Sequence, residues 1–212
     1  MNGRHRAALV TLFQRGADEA AAALSRWIGR PATIRVREVD LLPLESAGGV
    51  LGVHDEPLCC AAMEVRGALS GILLLAVDDA AGLALADLLL GRPAGSGTAW
   101  GEVEESATLE TANIVGCAYL GAIAAALAPD GGAQSGSTIV PSPPSFLREY
   151  AEALMEGLLV DQATLSDAVF LTRTEFAIDG SPVHCSLVFV PDAVSRALTQ
   201  AVAAIRESFE EL

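Results

Sequence analysis

The sequence predicts a single α+β domain made of two copies of one unit, helix–strand–strand–strand–helix, whose strands form one shared sheet packed by long helices. The first observation is an internal repeat: Met63–Gly67 corresponds to Phe176–Gly180, and Ile72–Ala80 to Cys185–Ala193, at the same offset of 113 positions. The second is that a long helical pattern opens each half. Because neither unit alone would cover its own sheet well, a continuous pseudo-twofold sheet is the economical arrangement.

The first unit, about residues 7–92, begins with a long amphipathic helix from Ala7 to Gly29. The extended segment Thr33–Val39 follows it, and then come the two repeated strands. A helix from Ala81 to Leu90 closes the unit. The strands are short runs of β-branched and aliphatic residues bounded by glycine or proline, which is the usual pattern of strands in a small sheet.

The second unit, about residues 101–206, repeats this order. It opens with the helix Glu105–Leu127, continues with the extended segment Thr138–Pro141, and closes with a helix from Ala193 to Arg206. Between the units, residues 93–100 are polar and glycine-rich, which predicts a mobile linker. Aspartates stand at the two strand-to-helix junctions, where we expect them to cap the helices: Asp78, Asp79 and Asp192.

Composition limits the function classes. The chain has 212 residues, of which 51% are hydrophobic, enough for one substantial core or two small fused units. Its formal net charge of −14 argues against nucleic acid and anionic membrane as partners. No run free of breakers and charges reaches the roughly 18 residues needed to span a membrane. The basic N-terminus leads into an amphipathic segment instead of a signal peptide, so we expect a cytoplasmic protein.

The four cysteines predict neither a zinc site nor disulfides. Cys59 and Cys60 are adjacent, while Cys117 and Cys185 stand far apart, and these spacings match no zinc motif. We therefore expect buried free thiols and no metal site, as suits a reducing compartment.

The second long helix carries the most informative pattern. Ser106, Glu110 and Asn113 follow one another at offsets of four and seven residues from the serine, so they share about 60° of helical arc. A carboxylate, an amide and a hydroxyl on one rigid element suit holding a partner by charge and placing a water molecule. From spacing alone, the alternative is a solvated first stretch of helix, with Glu110 favoured near the N-terminus by the macrodipole.

The segment Glu110–Ala122 resembles the signature helix of the CheC/CheX/FliY phosphatase family. Val140–Pro144, Thr174–Phe176 and Val190–Asp192 also resemble CheC, as do Ala22–Arg30 and Val39–Glu45. The resemblance covers nearly the whole chain in collinear order, includes the duplication, and is closest to CheC. It implies the CheC-like fold over residues 1–212.

The resemblance implies a hydrolase of chemotaxis or another two-component pathway, which removes the phosphoryl group from the aspartyl phosphate of a CheY-like response-regulator receiver. In that family Asn113 corresponds to the amide that orients the attacking water, and Glu110 to the carboxylate that pairs with a receiver lysine. Ser106 would support the glutamate or contact the partner, and Pro144 matches a distal proline that shapes the adjacent surface. No cofactor of its own is implied, because the Mg²⁺ belongs to the receiver.

Two departures from the family pattern matter. On the first helix, the positions that carry a second site in two-site relatives read Ala7, Thr11 and Gln14. Thr11 has no charge for docking a lysine, so we expect a single site, although the amide of Gln14 leaves a residual role open. The interval from Asn113 to Pro144 is also longer than usual. The extra residues, around Pro129–Ser137, would tune or hinder receiver docking.

Two alternatives to the phosphatase remain. One is a non-catalytic module that docks a receiver or a CheD-like deamidase and passes on signal state. The other is a flagellar-switch component resembling FliY. The short length of the chain argues against this second alternative.

Overall fold

The computed structural model describes residues 3–52, 55–93, 95–127, 138–163 and 168–192. Within these residues, five α-helices, a 3₁₀ turn and seven strands follow one another in this order: α1 (Gly3–Ile28), β1 (Ala32–Pro43), α2 (Leu44–Ala47), the 3₁₀ turn (Gly48–Leu51), β2 (Leu58–Gly67), β3 (Gly71–Val77), α3 (Asp79–Leu89), α4 (Glu102–Leu127), β4 (Ile139–Pro141), β5 (Ser145–Glu149), α5 (Ala151–Ala163), β6 (Ala168–Ile178) and β7 (His184–Pro191).

All described strands belong to one antiparallel sheet in the order β1-β6-β7-β3-β2-β4, with β5 also pairing with β2. The two halves exchange strands, since β1 pairs with β6 while β4 and β5 pair with β2. At the centre of the sheet, Leu74 pairs with Val188 and Leu75 pairs with Leu187. With the repeat offset of 113 positions, Leu74 corresponds to Leu187 and Leu75 to Val188, so the two pairs are equivalent under the pseudo-twofold symmetry. The predicted α+β fold with a shared pseudo-twofold sheet is confirmed.

Helices cover the sheet on both faces because its central strands are apolar on both sides. On one face, Leu73 and Leu75 lie in a core beneath α1, α3 and α4 that also contains Phe13 and Tyr119. On the other face, a second core forms beneath α2, the 3₁₀ turn and α5. It contains Leu74, Ala76, Val188, Leu154 and Met155.

The second helical layer is the main difference from the sequence prediction, which gave each unit only an opening and a closing helix. The structure adds α2, the 3₁₀ turn and α5, and it adds β5 after the predicted extended segment of the second half, which forms β4. Helix α5 was missed because its apolar residues do not form one stripe: Met155 is buried, yet Val160 is 61% exposed. The predicted helix 193–206 and the loop 129–137 lie outside the described residues.

Part of the connection between the units is hydrogen-bonded to α3, through Ser96 and Gly97. The buried carboxylate of Asp87 accepts hydrogen bonds from Gly97 N (3.0 Å) and Ser96 Oγ (3.1 Å). Hydrogen bonds from Gly97 and then Ser96 hold the pKa of Asp87 below its ordinary value, against the effect of burial. A buried carboxylate needs such donors, and the linker supplies them. At the neighbouring junction the predicted cap of α3 is confirmed, since Asp78 accepts from Ala81 N at 2.7 Å.

The cysteine prediction holds for three of the four residues. Cys59, Cys60 and Cys185 are buried free thiols, and burial raises the pKa of Cys59 and of Cys60 to about 12. Cys117 is exposed, contrary to the prediction, because it lies on the outward face of α4. That face carries the candidate site.

Helix α4 also corrects the expectation about membrane-spanning runs. By length and composition alone its 26 residues could cross a membrane. In the fold, however, Val115, Tyr119 and Ile123 are fully or almost fully buried in the core shared with α1 and the sheet. The apolar character of α4 is therefore that of a core helix.

Candidate functional site

The N-terminal end of α4 is fixed to the chain that precedes it. Gly101 N donates to Glu104 Oε2 (3.2 Å), and Arg92 Nη1 donates to Glu104 Oε1 (2.9 Å). The hydrogen bond from Arg92 holds the pKa of Glu104 below its ordinary value. The first turn also contains Glu102 and Glu105, whose charges interact favourably with the helix dipole. These contacts define where the polar face of α4 begins.

Close contacts on the buried side fix the rotation of α4 about its axis. A side chain at Gly116 would place its Cβ 2.8 Å from Met63 Sδ on β2. On α1, a Cβ at Gly16 would lie 2.8 Å from the ring of Tyr119. Trp27 Nε1 also donates to Thr111 Oγ1 at 3.3 Å, which ties the two long helices together. With the opposite side held so closely, the predicted polar stripe must face outward.

That outward face presents polar groups with few partners. Ser106 and Glu110 are exposed and Asn113 is half-buried. Within the described residues, neither Ser106 nor Glu110 makes a hydrogen bond or ion pair, so no bond joins these two side chains. Asn113 Oδ1 accepts a long hydrogen bond from Cys117 Sγ (3.6 Å). Burial and the charge of Glu110 raise the pKa of Cys117, which keeps the thiol protonated as a donor.

A proline-rich segment, Pro141–Pro144, faces this stripe. Ser142 joins it to β2 in both directions, since Ser142 N donates to Glu64 O (2.7 Å) and Glu64 N donates to Ser142 Oγ (3.0 Å). The three prolines lack N–H groups and have restricted φ, so Ser142 is the only backbone donor in the segment. Sequence reasoning gave Ser142 no role, although a lone hydroxyl residue among prolines is a usable signal for such an anchor.

Helix α4 and the proline segment enclose an open groove of about 470 Å³. The structure thus brings together all four residues singled out from the sequence. It adds Leu109 and the rest of the proline segment, so that the full lining is Ser106, Leu109, Glu110, Asn113, Pro141, Ser142, Pro143 and Pro144.

The chemistry available in the groove is binding and positioning. Glu110 is the single charged residue of the lining, and Ser106 has no base among the described residues to activate it. No group of three or more His, Cys, Asp and Glu side chains in the described part of the chain could hold a metal ion. The groove can therefore receive a cation from a partner at Glu110 and hold a water molecule at the amide of Asn113.

The corresponding residues of α1 are arranged differently. Thr11 Oγ1 donates to Ala7 O (3.0 Å), as hydroxyl groups commonly do within a helix. Gln14 uses both ends of its amide: Nε2 donates to Asp18 Oδ1 (2.9 Å), and Oε1 accepts from Val36 N on β1 (3.4 Å). The first helix thus presents neither a carboxylate nor an unoccupied amide at these positions.

Two features define the class of fold. The two repeats exchange strands within one sheet, and the helices α1 and α4 pack side by side across one face of that sheet. The sequence matches no protein-family model and no curated protein. Among solved structures, Thermotoga maritima FliY aligns with 97% of this chain and 98% of its own at a TM-score of 0.75 and 18% identity. FliM from the H. pylori FliM–SpeE complex aligns with 97% of this chain and 98% of its own, at a TM-score of 0.65 and 10% identity.

A third structure is the CheX–CheY–BeF₃–Mg²⁺ complex from Borrelia burgdorferi, which aligns with 84% of this chain and 96% of that one at a TM-score of 0.51 and 16% identity. The chain therefore has the CheC/CheX/FliY fold, as its resemblance to that family predicted.

Proposed function

We propose that this protein is a cytoplasmic phosphatase that hydrolyses the aspartyl phosphate of a CheY-like response-regulator receiver at a single site on α4. The observation that carries the proposal is the groove itself. In it, Glu110 and Asn113 lie beside a proline segment anchored to the sheet, and the carboxylate has no hydrogen-bond or ion-pair partner among the described residues. The likeness to a CheX structure determined with CheY, BeF₃ and Mg²⁺ supports a receiver as the partner.

In the proposed reaction the amide of Asn113 holds a water molecule in line with the phosphorus–oxygen bond of the acyl phosphate. The water oxygen bonds to phosphorus, the bond to the aspartyl oxygen breaks, and the products are a free carboxylate and inorganic phosphate. An acyl phosphate is already reactive, so positioning of the water supplies much of the rate. The Cys117 thiol, by donating to Asn113 Oδ1, helps to set the orientation of that amide.

Docking in this proposal depends on Glu110. Its exposed carboxylate pairs with the active-site lysine of the receiver and places the phosphoryl group over Asn113. The Mg²⁺ bound by the receiver neutralises charge on the phosphoryl oxygens. Ser106, one turn before Glu110, and Pro144 contact the receiver surface on the two sides of the groove.

Turnover tests the proposal. Decay of receiver phosphate is measured for several receivers with this protein present at a ratio of roughly one to twenty, so that only a catalyst clears the pool. We expect complete clearance of at least one receiver. If the receivers that bind this protein keep their phosphate at the substoichiometric ratio, the proposed phosphatase activity is refuted.

The second candidate is a non-catalytic module that binds a receiver or a CheD-like protein. The observation in its favour is that FliM structures with this fold were determined in complexes with FliG and with SpeE. Such a module changes phosphate lifetime only in proportion to the complex formed, and it can lengthen the lifetime by shielding the phosphate. The same decay measurement, repeated at equimolar ratio, distinguishes it from the enzyme.

A further inference from the structure

A second concave site lies on the sheet face opposite α4. Phe176 and Ile178 of β6 point into the core beneath α1, so the residues that alternate with them, Glu175 and Ala177, face the other side. There, beside the 3₁₀ turn, the sheet surface forms a cavity of about 360 Å³. Its location on the opposite face separates it from the groove of α4.

The cavity arises from a difference in side-chain size across neighbouring strands. Arg35 of β1 pairs with Glu175 of β6, Glu175 pairs with Ser186 of β7, and Ser186 pairs with Ala76 of β3. Ala177 lies on the adjacent row. The floor is thus made of small residues, while long charged side chains stand at the β1 and β6 side.

The cavity is lined by three arginines and by two acidic residues, Glu175 and Asp78, so the lining has a balance of one positive charge in a chain whose net charge is −14. Three guanidinium groups, those of Arg35, Arg37 and Arg173, line the cavity. Glu175 is shared by two of them, with Arg37 Nε at 2.7 Å and Arg173 Nη2 at 3.0 Å. The third, Arg35, makes no ion pair among the described residues. A β-bulge between Val36 and Glu38 accompanies the turn of Arg37 toward this cavity.

Arg173 is fixed at the cavity wall by its hydrogen bond to Val50 and its ion pair with Glu175. Its Nη1 donates to Val50 O (3.0 Å), while its buried Nε has no hydrogen-bond partner among the described residues. His184 and Ser186, which also line the cavity, add further donors.

We propose that this cavity binds a small phosphate-bearing anion, held by Arg35, Arg37 and Arg173. The planar donor fork of a guanidinium matches phosphate oxygens, and Arg35, which has no ion pair among the described residues, supplies positive charge. The volume is at the lower end of the range for small-ligand sites, which suits a simple phosphate ester or the free ion. The proposal stands independently of the phosphatase site.

Calorimetric titration of the full chain with inorganic phosphate and with glycerol phosphate, at matched ionic strength, tests this site. We expect saturable binding of one ion per chain. Tighter binding of glycerol phosphate identifies an ester as the ligand, and equal or tighter binding of inorganic phosphate identifies the free ion. Both results support the site.

Three variants complete the experiment. Arg35→Gln leaves the internal ion pairs intact and is expected to weaken binding about tenfold. Ser186→Leu fills the floor and should abolish binding. Arg66→Gln, which removes an exposed arginine outside the cavity, is the matched control and should leave the affinity unchanged. Absence of saturable binding at about 10 mM of either ion would overturn the proposal, as would equal loss in Arg35→Gln and Arg66→Gln proteins.

Discussion

The two long helices occupy equivalent places in the fold, yet they use the same three positions differently. Among the described residues, Glu110 on α4 makes no hydrogen bond or ion pair, and the one side-chain hydrogen bond of Asn113 is accepted from Cys117. On α1, Gln14 bonds both to Asp18 and to the backbone of β1. The comparison teaches that an amide at the right helical position is not sufficient for a site. At least one end of the amide must also remain available for hydrogen bonding to a water molecule or a partner.

The reason for the difference lies in the strands that accompany each helix. Strand β1 is at the edge of the described sheet and contains a bulge between Val36 and Glu38. The Gln14 amide oxygen accepts a hydrogen bond from the N–H of Val36. Beside α4, the segment at Pro141–Pro144 has few N–H groups to satisfy, and Ser142 uses the one it has on β2. The proline segment therefore makes no hydrogen bond to the Asn113 amide in the described part of the chain.

The largest expected effect is on the α4 amide. Asn113→Ala should reduce the catalysed decay of receiver phosphate by about 100-fold, because the water loses its positioning group. The fold should persist, since the face opposite Asn113 carries the packing. The measurement is substoichiometric phosphate decay, with circular dichroism to confirm folding. Parent-like turnover in this variant would remove Asn113 from the mechanism.

Glu110 should affect association more than chemistry. Glu110→Gln is expected to weaken binding of the phosphorylated receiver about tenfold, mainly because an attractive charge is lost. Added salt should weaken the parent complex and have less effect on the variant, since an exposed ion pair is screened. Titration of receiver binding at two salt concentrations measures both. If neither Glu110→Gln nor added salt changed the affinity for the receiver, the proposed pairing of Glu110 with a receiver lysine would be contradicted.

The matched change on α1 sharpens the comparison. Gln14→Ala should leave the phosphatase rate within about twofold while lowering the free energy of unfolding by about 1 kcal/mol, because the Val36 N–H and Asp18 lose a partner. Urea unfolding and phosphate decay of the same preparation give the two numbers. A large loss of rate with stability retained would mean that α1 holds a second working site.

The smallest effect concerns the hydrogen bonds between Asp87 and the linker that precedes α4. The pKa of Asp87 is lowered in the folded protein, so its contribution to stability is present above the unfolded-state pKa near 3.9 and is lost as pH falls through the lower folded-state pKa. Asp87→Asn should therefore reduce stability near neutral pH and flatten its decline in acid. Urea unfolding between about pH 7 and pH 3 checks this. Parallel pH profiles for parent and variant would count against the linker anchor.

The sequence determined the broad architecture. The repeat offset predicted one sheet shared by two units, and the β3–β7 register confirms it. Strand identity followed from apolar runs that both faces bury, and the helical spacing placed Ser106, Glu110 and Asn113 on one face. These features are local or periodic, so they can be read along the chain.

Only the tertiary structure decided which of these polar groups are free. The bonds from Gln14 to β1, from Ser142 to Glu64 and from Asp87 to the linker join residues far apart in the chain or in irregular backbone. The arginine-lined cavity is equally non-local, because its floor and its charges come from β1, β3, β6 and β7. Hydrogen-bond satisfaction is a property of the assembled fold, whereas periodicity is a property of the chain.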